Sequence, residues 1–239
     1  MKLAAYQAPV LDIGSMAALA LIERRVRWCA TEAVDILCCP EAILGGLADD
    51  ASRPFELALS VESGQLRAVL APLASSTVTT IIGFTELAAD GALYNSAAIL
   101  TAGEIAGVYR KRHPAIRSSV YKAGDQSPVF SIGDWRFGIM ICNDSNFPAL
   151  GADMVERGAR ALFVPSNNAL PVAKAEILAA TRATDISTAQ TNGVSIIRAD
   201  VAGRLDGRIS VGSSAIIDAS GTVLQAGSRL SEEMLIAER

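Results

Sequence analysis

The sequence predicts a layered α/β fold, with sheet packed on sheet and helices on the outside. Three observations point there. Short apolar strands alternate with helical stretches along the whole chain, and hairpin signals interrupt that alternation. Half of the 239 residues are apolar (51%) while aromatics make up only 5%, so the core must be built from Ala, Leu, Ile and Val. No linker or repeat divides the elements, so residues 1–239 read as one domain.

The elements follow in order. A first strand over residues 3–6 ends at Pro9. Leu19, Ile22, Val26 and Cys29 recur at three- and four-residue steps and predict a helix over 15–32, with Ser15 placed to cap it. Residues 35–39 form a buried strand stopped by Pro40, and Gly45-Gly46 mark a loop. A second helix falls at 62–74, and a β-branched strand at 78–84. Strands at 95–100 and 104–109 flank a Thr101-Ala102-Gly103 turn. Strands at 127–132 and 135–141 turn at Gly133-Asp134, and a helix follows at 147–158. A strand at 161–165 leads to a longer helix at 172–191, stopped by Gly193. Strands at 194–199, 214–218 and 222–226 complete the set.

Composition narrows the function. Against 21 basic residues stand 25 acidic ones, and no basic stripe interleaves with aromatics, so nucleic acid is not an expected partner. The run Arg24-Arg25-Val26-Arg27 reads as the solvated face of a helix. No stretch reaches the ~18 apolar residues of a membrane span, and the N-terminal apolar stretch is broken by Gln7, Pro9 and Asp12. A cytoplasmic location with reduced thiols is expected. Cys29, Cys38, Cys39 and Cys142 lack metal-site spacing, and the first three read as small buried hydrophobes. The single histidine, His113, excludes histidine-rich zinc sites, and any Ser-His-Asp triad would have to use it. No phosphate-cradling glycine motif is present, so neither metal nor cofactor is expected. An enzyme of this composition would draw its base from a carboxylate or a lysine.

Three apolar strands end in polar groups. Leu37-Cys38-Cys39-Pro40 delivers Glu41 where the chain leaves the sheet, a place where α/β folds set reactive groups. Taken alone, Glu41 reads better as a solvated loop residue. Gly107-Val108-Tyr109 ends in Arg110-Lys111-Arg112-His113-Pro114, otherwise a basic surface turn. Phe137 to Ile141 delivers Cys142 to the turn Asn143-Asp144-Ser145-Asn146, where a helix begins. Backbone N–H groups near a helix start can face a developing oxyanion and lower a thiol pKa. A lone cysteine at a strand end is more often packing.

Together, Pro40-Glu41, Tyr109 to Pro114 and Gly138-Ile139-Met140-Ile141-Cys142-Asn143-Asp144 resemble the Glu-Lys-Cys signature of the nitrilase (carbon–nitrogen hydrolase) superfamily, in order and broad spacing. Flanking segments match as well: Ala4-Ala5-Tyr6-Gln7, Ala161 to Asn167, and Gly212-Ser213-Ser214-Ala215-Ile216-Ile217-Asp218-Ala219-Ser220-Gly221. The resemblance spans nearly the whole chain. It implies a four-layer α-β-β-α sandwich, commonly assembled as a homodimer or larger homo-oligomer.

The resemblance also implies roles. Cys142 is the nucleophile and Glu41 the general base. Lys111 and the backbone N–H of Asn143 stabilise the oxyanion, and the lysine charge favours the thiolate. Many relatives carry a second glutamate between the lysine and the cysteine; here Ser119 stands at that place, just before Tyr121-Lys122-Ala123-Gly124. Ser119, Ser166, Asn167 and Asn168 are candidates for the substrate pocket, the last three equally readable as a capped turn. Arg182 has no catalytic role. The leading expectation is hydrolysis of a small amide, ω-amide or N-carbamoyl compound through a cysteine thioester. Alternatives are nitrile hydrolysis at the same site and a catalytically weak relative that binds a small molecule or protein. A thiol redox protein is disfavoured, because Cys142 has no nearby resolving cysteine.

Overall fold

The computed structural model describes residues 1–171 and 177–238. The start of the expected helix at 172–176 lies outside the described residues. The larger sheet is built around β1 (Lys2–Pro9). On one edge β1 pairs in parallel with β2 (Ile36–Cys38), which is followed outward by β3 (Thr79–Leu87), β4 (Leu93–Thr101) and β5 (Glu104–Arg110). The opposite edge is shared. Residues 2–7 pair antiparallel with β15 (Glu233–Glu238), and Ala8 and Pro9 run parallel to β11 (Val201–Leu205). Beyond β11 lie β12 (Arg208–Val211) and β9 (Leu170–Pro171). The smaller sheet has the order β14 (Val223–Ala226), β13 (Ala215–Ile217), β10 (Ser195–Ala199), β8 (Ala161–Pro165), β7 (Trp135–Ile139) and β6 (Phe130–Ile132). Its central strands β7, β8 and β10 are parallel.

Successive side chains of a strand face opposite ways, and both faces are buried here. Leu3, Ala5, Ile36 and Cys38 point between the sheets, against Ile139, Phe163 and Ile197. Ala4, Tyr6, Ala8, Leu37 and Cys39 point outward, under Ile22, Val26 and Cys29 of α1 (Ala18–Thr31) and Leu66 and Leu70 of α2 (Gln65–Leu70). On the far side α3 (Pro148–Glu156) and α4 (Ile177–Asn192) cover the smaller sheet. The layers are therefore helix, sheet, sheet, helix, as the family resemblance implied.

Some local readings need correction. Ser15 is not the cap of α1; its hydroxyl accepts the Ala17 N–H at 3.2 Å, Ala17 is the capping residue, and the helix starts at Ala18. The expected helix at 62–74 is shorter, because Pro72 sits at the start of a separate 3₁₀ turn, Ala71–Leu73. Strands β9, β11, β12 and β15 were not foreseen. Arg25 of the expected solvated face is tied down by Glu232 at 2.6 Å and lies over the Tyr6 ring.

Candidate active site

Glu41 is carried by the turn after β2. The Cys39 N–H still bonds Ile81 O, and the Leu44 N–H bonds Gly83 O, so the turn lies flat along β3. Gly83 makes that approach possible: a Cβ there would overlap the Pro40 carbonyl oxygen and the Ala42 nitrogen. Ala42 takes φ +45°, a left-handed conformation unusual for alanine. Glu41 is 2% exposed, and both its oxygens are engaged. Oε1 accepts from Lys111 Nζ at 2.6 Å and Asn95 Nδ2 at 2.7 Å; Oε2 accepts the Asn167 backbone N–H at 3.0 Å.

Lys111 emerges one residue past β5. Its N–H bonds Asn95 O at 2.8 Å, so Asn95 on β4 holds both the base and the amine. Its carbonyl accepts from Gly124, which packs against the Arg110 backbone too closely for any side chain. Burial opposes the Lys111 charge, but the Glu41 carboxylate beside it prevails and raises its pKa.

Cys142 ends the segment that leaves β7, at φ +46°, and opens a 3₁₀ turn (Cys142–Asn146). The leading N–H groups of such a turn, Asn143's among them, lack acceptors within the helix. Asp144 is fully buried and gathers the surrounding backbone. It accepts from Tyr109 Oη at 2.7 Å, from the His113 N–H at 2.8 Å and from the Ile141 N–H at 3.0 Å. The nucleophile turn is thereby tied to the strand that carries Lys111. From beneath, Ser145 Oγ donates to Cys142 O at 2.8 Å and accepts from Arg198 Nη2 at 2.9 Å. Arg198 is 1% exposed and forms a two-bond pair with Asp185, each bond 2.6 Å.

Glu41, Lys111, Cys142, Asn143, Asn167 and Asn168 line one cleft of about 670 Å³. Ser119 and Ser166 do not line it. Ser119 turns to Asp49, donating at 2.9 Å and clamping the loop that forms the cleft wall. Ser166 lies fully buried behind the cleft, bonded to Arg198. The Lys111 charge acts on Cys142 in the expected sense, toward the thiolate, but burial outweighs it. Burial, with Glu41 adding, pushes the Cys142 thiol up to about 12 despite the opposing charges of Lys111 and Arg198. Sequence reading missed Asn95, Asp144, Arg198 and Asp200. Their one visible signal was a polar residue amid apolar neighbours, as with Arg198 in Ser195–Ala199.

The carbon-nitrogen hydrolase model matches residues 2–239. The chain belongs to the carbon–nitrogen hydrolase family. A nitrilase from Pyrococcus abyssi is 28% identical over 219 residues, which are 90% of this chain and 80% of that protein. An (R)-stereoselective amidase from a Pseudomonas species is 28% identical over 193 residues, 80% of this chain and 68% of the relative. A carbon-nitrogen hydrolase from Helicobacter pylori G27 shares the fold at TM-score 0.87 and 22% identity, covering 99% of this chain and 88% of that one. Among the described residues of this carbon–nitrogen hydrolase, no helix is long and apolar enough to cross a membrane.

Proposed function

We propose that this carbon–nitrogen hydrolase cleaves a small amide through a thioester on Cys142. The observation that carries the reading is the convergence of Glu41, Lys111 and Cys142, far apart in sequence, on one cleft, with base and amine in contact at 2.6 Å. Cys142 Sγ attacks the amide carbonyl carbon while Glu41 takes the thiol proton. Lys111 Nζ and the Asn143 N–H receive the tetrahedral oxyanion, roughly 3–4 kcal/mol for each well-placed donor. Collapse breaks the C–N bond, and Glu41 passes its proton to the departing ammonia or amine. Water then attacks the thioester, giving its proton to Glu41. The carboxylic acid leaves, and Glu41 returns the proton to sulfur.

A raised thiol pKa fits this sequence, because the nucleophile and the leaving group exchange one proton through one carboxylate. Purified protein should release ammonia from at least one member of a panel of short amides, ω-amides and N-carbamoyl compounds. Cys142→Ala should lower that rate by ~1,000-fold or more. Ammonia release unchanged in Cys142→Ala would remove the proposal.

A further inference from the structure

Asn168 stands over the nucleophile with its side chain fixed in one orientation. Its Nδ2 donates to Asp200 Oδ2 at 2.9 Å and to Ser213 Oγ at 3.1 Å, and its backbone N–H donates to Asp200 Oδ1 at 3.0 Å. Asp200 is itself fully buried and held by the Val201 N–H (2.8 Å), the Ser213 N–H (3.0 Å) and Ser213 Oγ (2.7 Å). The Ser213 proton is committed to Asp200. A flipped amide would therefore set its oxygen against a carboxylate and a hydroxyl with no proton to give. Oδ1 must face the other way, and it lies 3.8 Å from Cys142 Sγ, within reach of the thiol proton.

In the resting site that oxygen accepts from the thiol. Once Glu41 has taken the proton, no described residue is seen donating to Oδ1, in a partly buried position where a missing donor is costly. The only new groups beside the sulfur are the substituents of the carbon under attack. The carbonyl oxygen goes to Lys111 and the Asn143 N–H, and the nitrogen is left beside Asn168. An amide nitrogen carries hydrogens, whereas a nitrile nitrogen carries none. We infer that Asn168, locked by Asp200, is the specificity-determining residue of the cleft: its oxygen accepts an N–H of the scissile group, so the site takes amides bearing N–H and rejects nitriles. The inference rests on the proposed hydrolase reading and narrows its substrate class.

The test compares kcat/KM for three compounds sharing one acyl chain: a primary amide, the nitrile, and the p-nitrophenyl ester, whose leaving group has no N–H. The wild-type protein should turn over the nitrile at least ~100-fold more slowly than the amide. In Asn168→Leu the amide value should fall at least ~10-fold further than the ester value. Asp200→Asn, which frees Asn168 to flip, should shift the amide-to-ester ratio the same way. Equal turnover of amide and nitrile by wild-type protein would overturn the inference without any variant. So would an equal fall of amide and ester in Asn168→Leu. If the ester is cleaved in a Cys142-dependent manner but amides are not, the specificity inference fails while the acyl-transfer site stands. If neither is cleaved, the hydrolase reading fails and takes this inference with it.

Discussion

Asp144 has its charge met by backbone and a phenol rather than by an ion pair. Burial raises its pKa, and the bonds from Tyr109, Ile141 and His113 oppose that shift. Its two oxygens take donors from both sides, so an amide in its place can serve only one side and turns an NH₂ toward the other. Asp144→Asn should cost about 2–3 kcal/mol of stability in urea melts and lower kcat, because the Cys142 turn and the Lys111 strand lose their common anchor. A variant with wild-type stability and kcat would show that the anchor is dispensable. At this scale Glu41, Lys111 and Cys142 were singled out by their joint resemblance to the Glu-Lys-Cys signature, since each alone reads as a loop residue, a basic turn or packing, and the folded chain brings all three to one cleft. Asn95, Asp144 and Asp200 were not singled out. A polar residue beside a strand end looks the same whether water or a buried donor meets it, and only the folded chain tells the two apart. Ser119 and Ser166 failed for the converse reason. Nearness in sequence to the expected cleft did not decide which way their hydroxyls point.

Between elements, Arg198 joins three pieces of the smaller sheet and its cover. It sits on β10, pairs with Asp185 of α4, and reaches Ser145 in the nucleophile turn and Ser166 beyond β8. Both charges are 1% exposed, so removing one leaves the other buried without its partner. Asp185→Ala should destabilise the fold by about 3–5 kcal/mol, and Cys142 reactivity should change with it, since Arg198 supports the Cys142 carbonyl through Ser145. A loss under 1 kcal/mol by thermal or urea unfolding would contradict that account. The elements legible in advance were those with a strong period. The i, i+3, i+4 stripe of α1 and the apolar runs of β2 and β8 are examples. Strands β11, β12 and β15 carry polar residues on a partly exposed face, as in Val201–Leu205, and their pairing is decided by the distant β1 and β9. That information lies in tertiary contacts rather than in local pattern.

The whole molecule buries its cysteines in two apolar layers, and that sets its behaviour in alkali. Burial raises the thiols of Cys29, Cys38 and Cys39 from the ordinary 9.0, Cys29 to about 12. The folded chain keeps these groups protonated while the unfolded chain ionises above pH 9. Their contribution is fully present below pH 9 and is lost as pH rises from there toward 12. Stability should fall by about 1.4 kcal/mol per pH unit for each such thiol in that window. Urea melts between pH 8 and 11 measure the slope, and Cys29→Ala should make it shallower. A stability that is level across this range would contradict the burial of these side chains. The overall layering was legible because apolar strands alternate with helices and hairpins along the chain, and the family resemblance implied the four-layer order. Which strands form which sheet was not, since β1 joins partners from both ends of the chain.

The most direct measurement is the mass of the protein during turnover. Acid-quenched samples taken while an amide is being hydrolysed should contain protein heavier by the acyl group without its amine, and peptide mapping should place that mass on Cys142. Hydrolysis that proceeds with no adduct on Cys142, and at an undiminished rate in Cys142→Ala, would contradict a sulfur nucleophile served by Glu41 and Lys111.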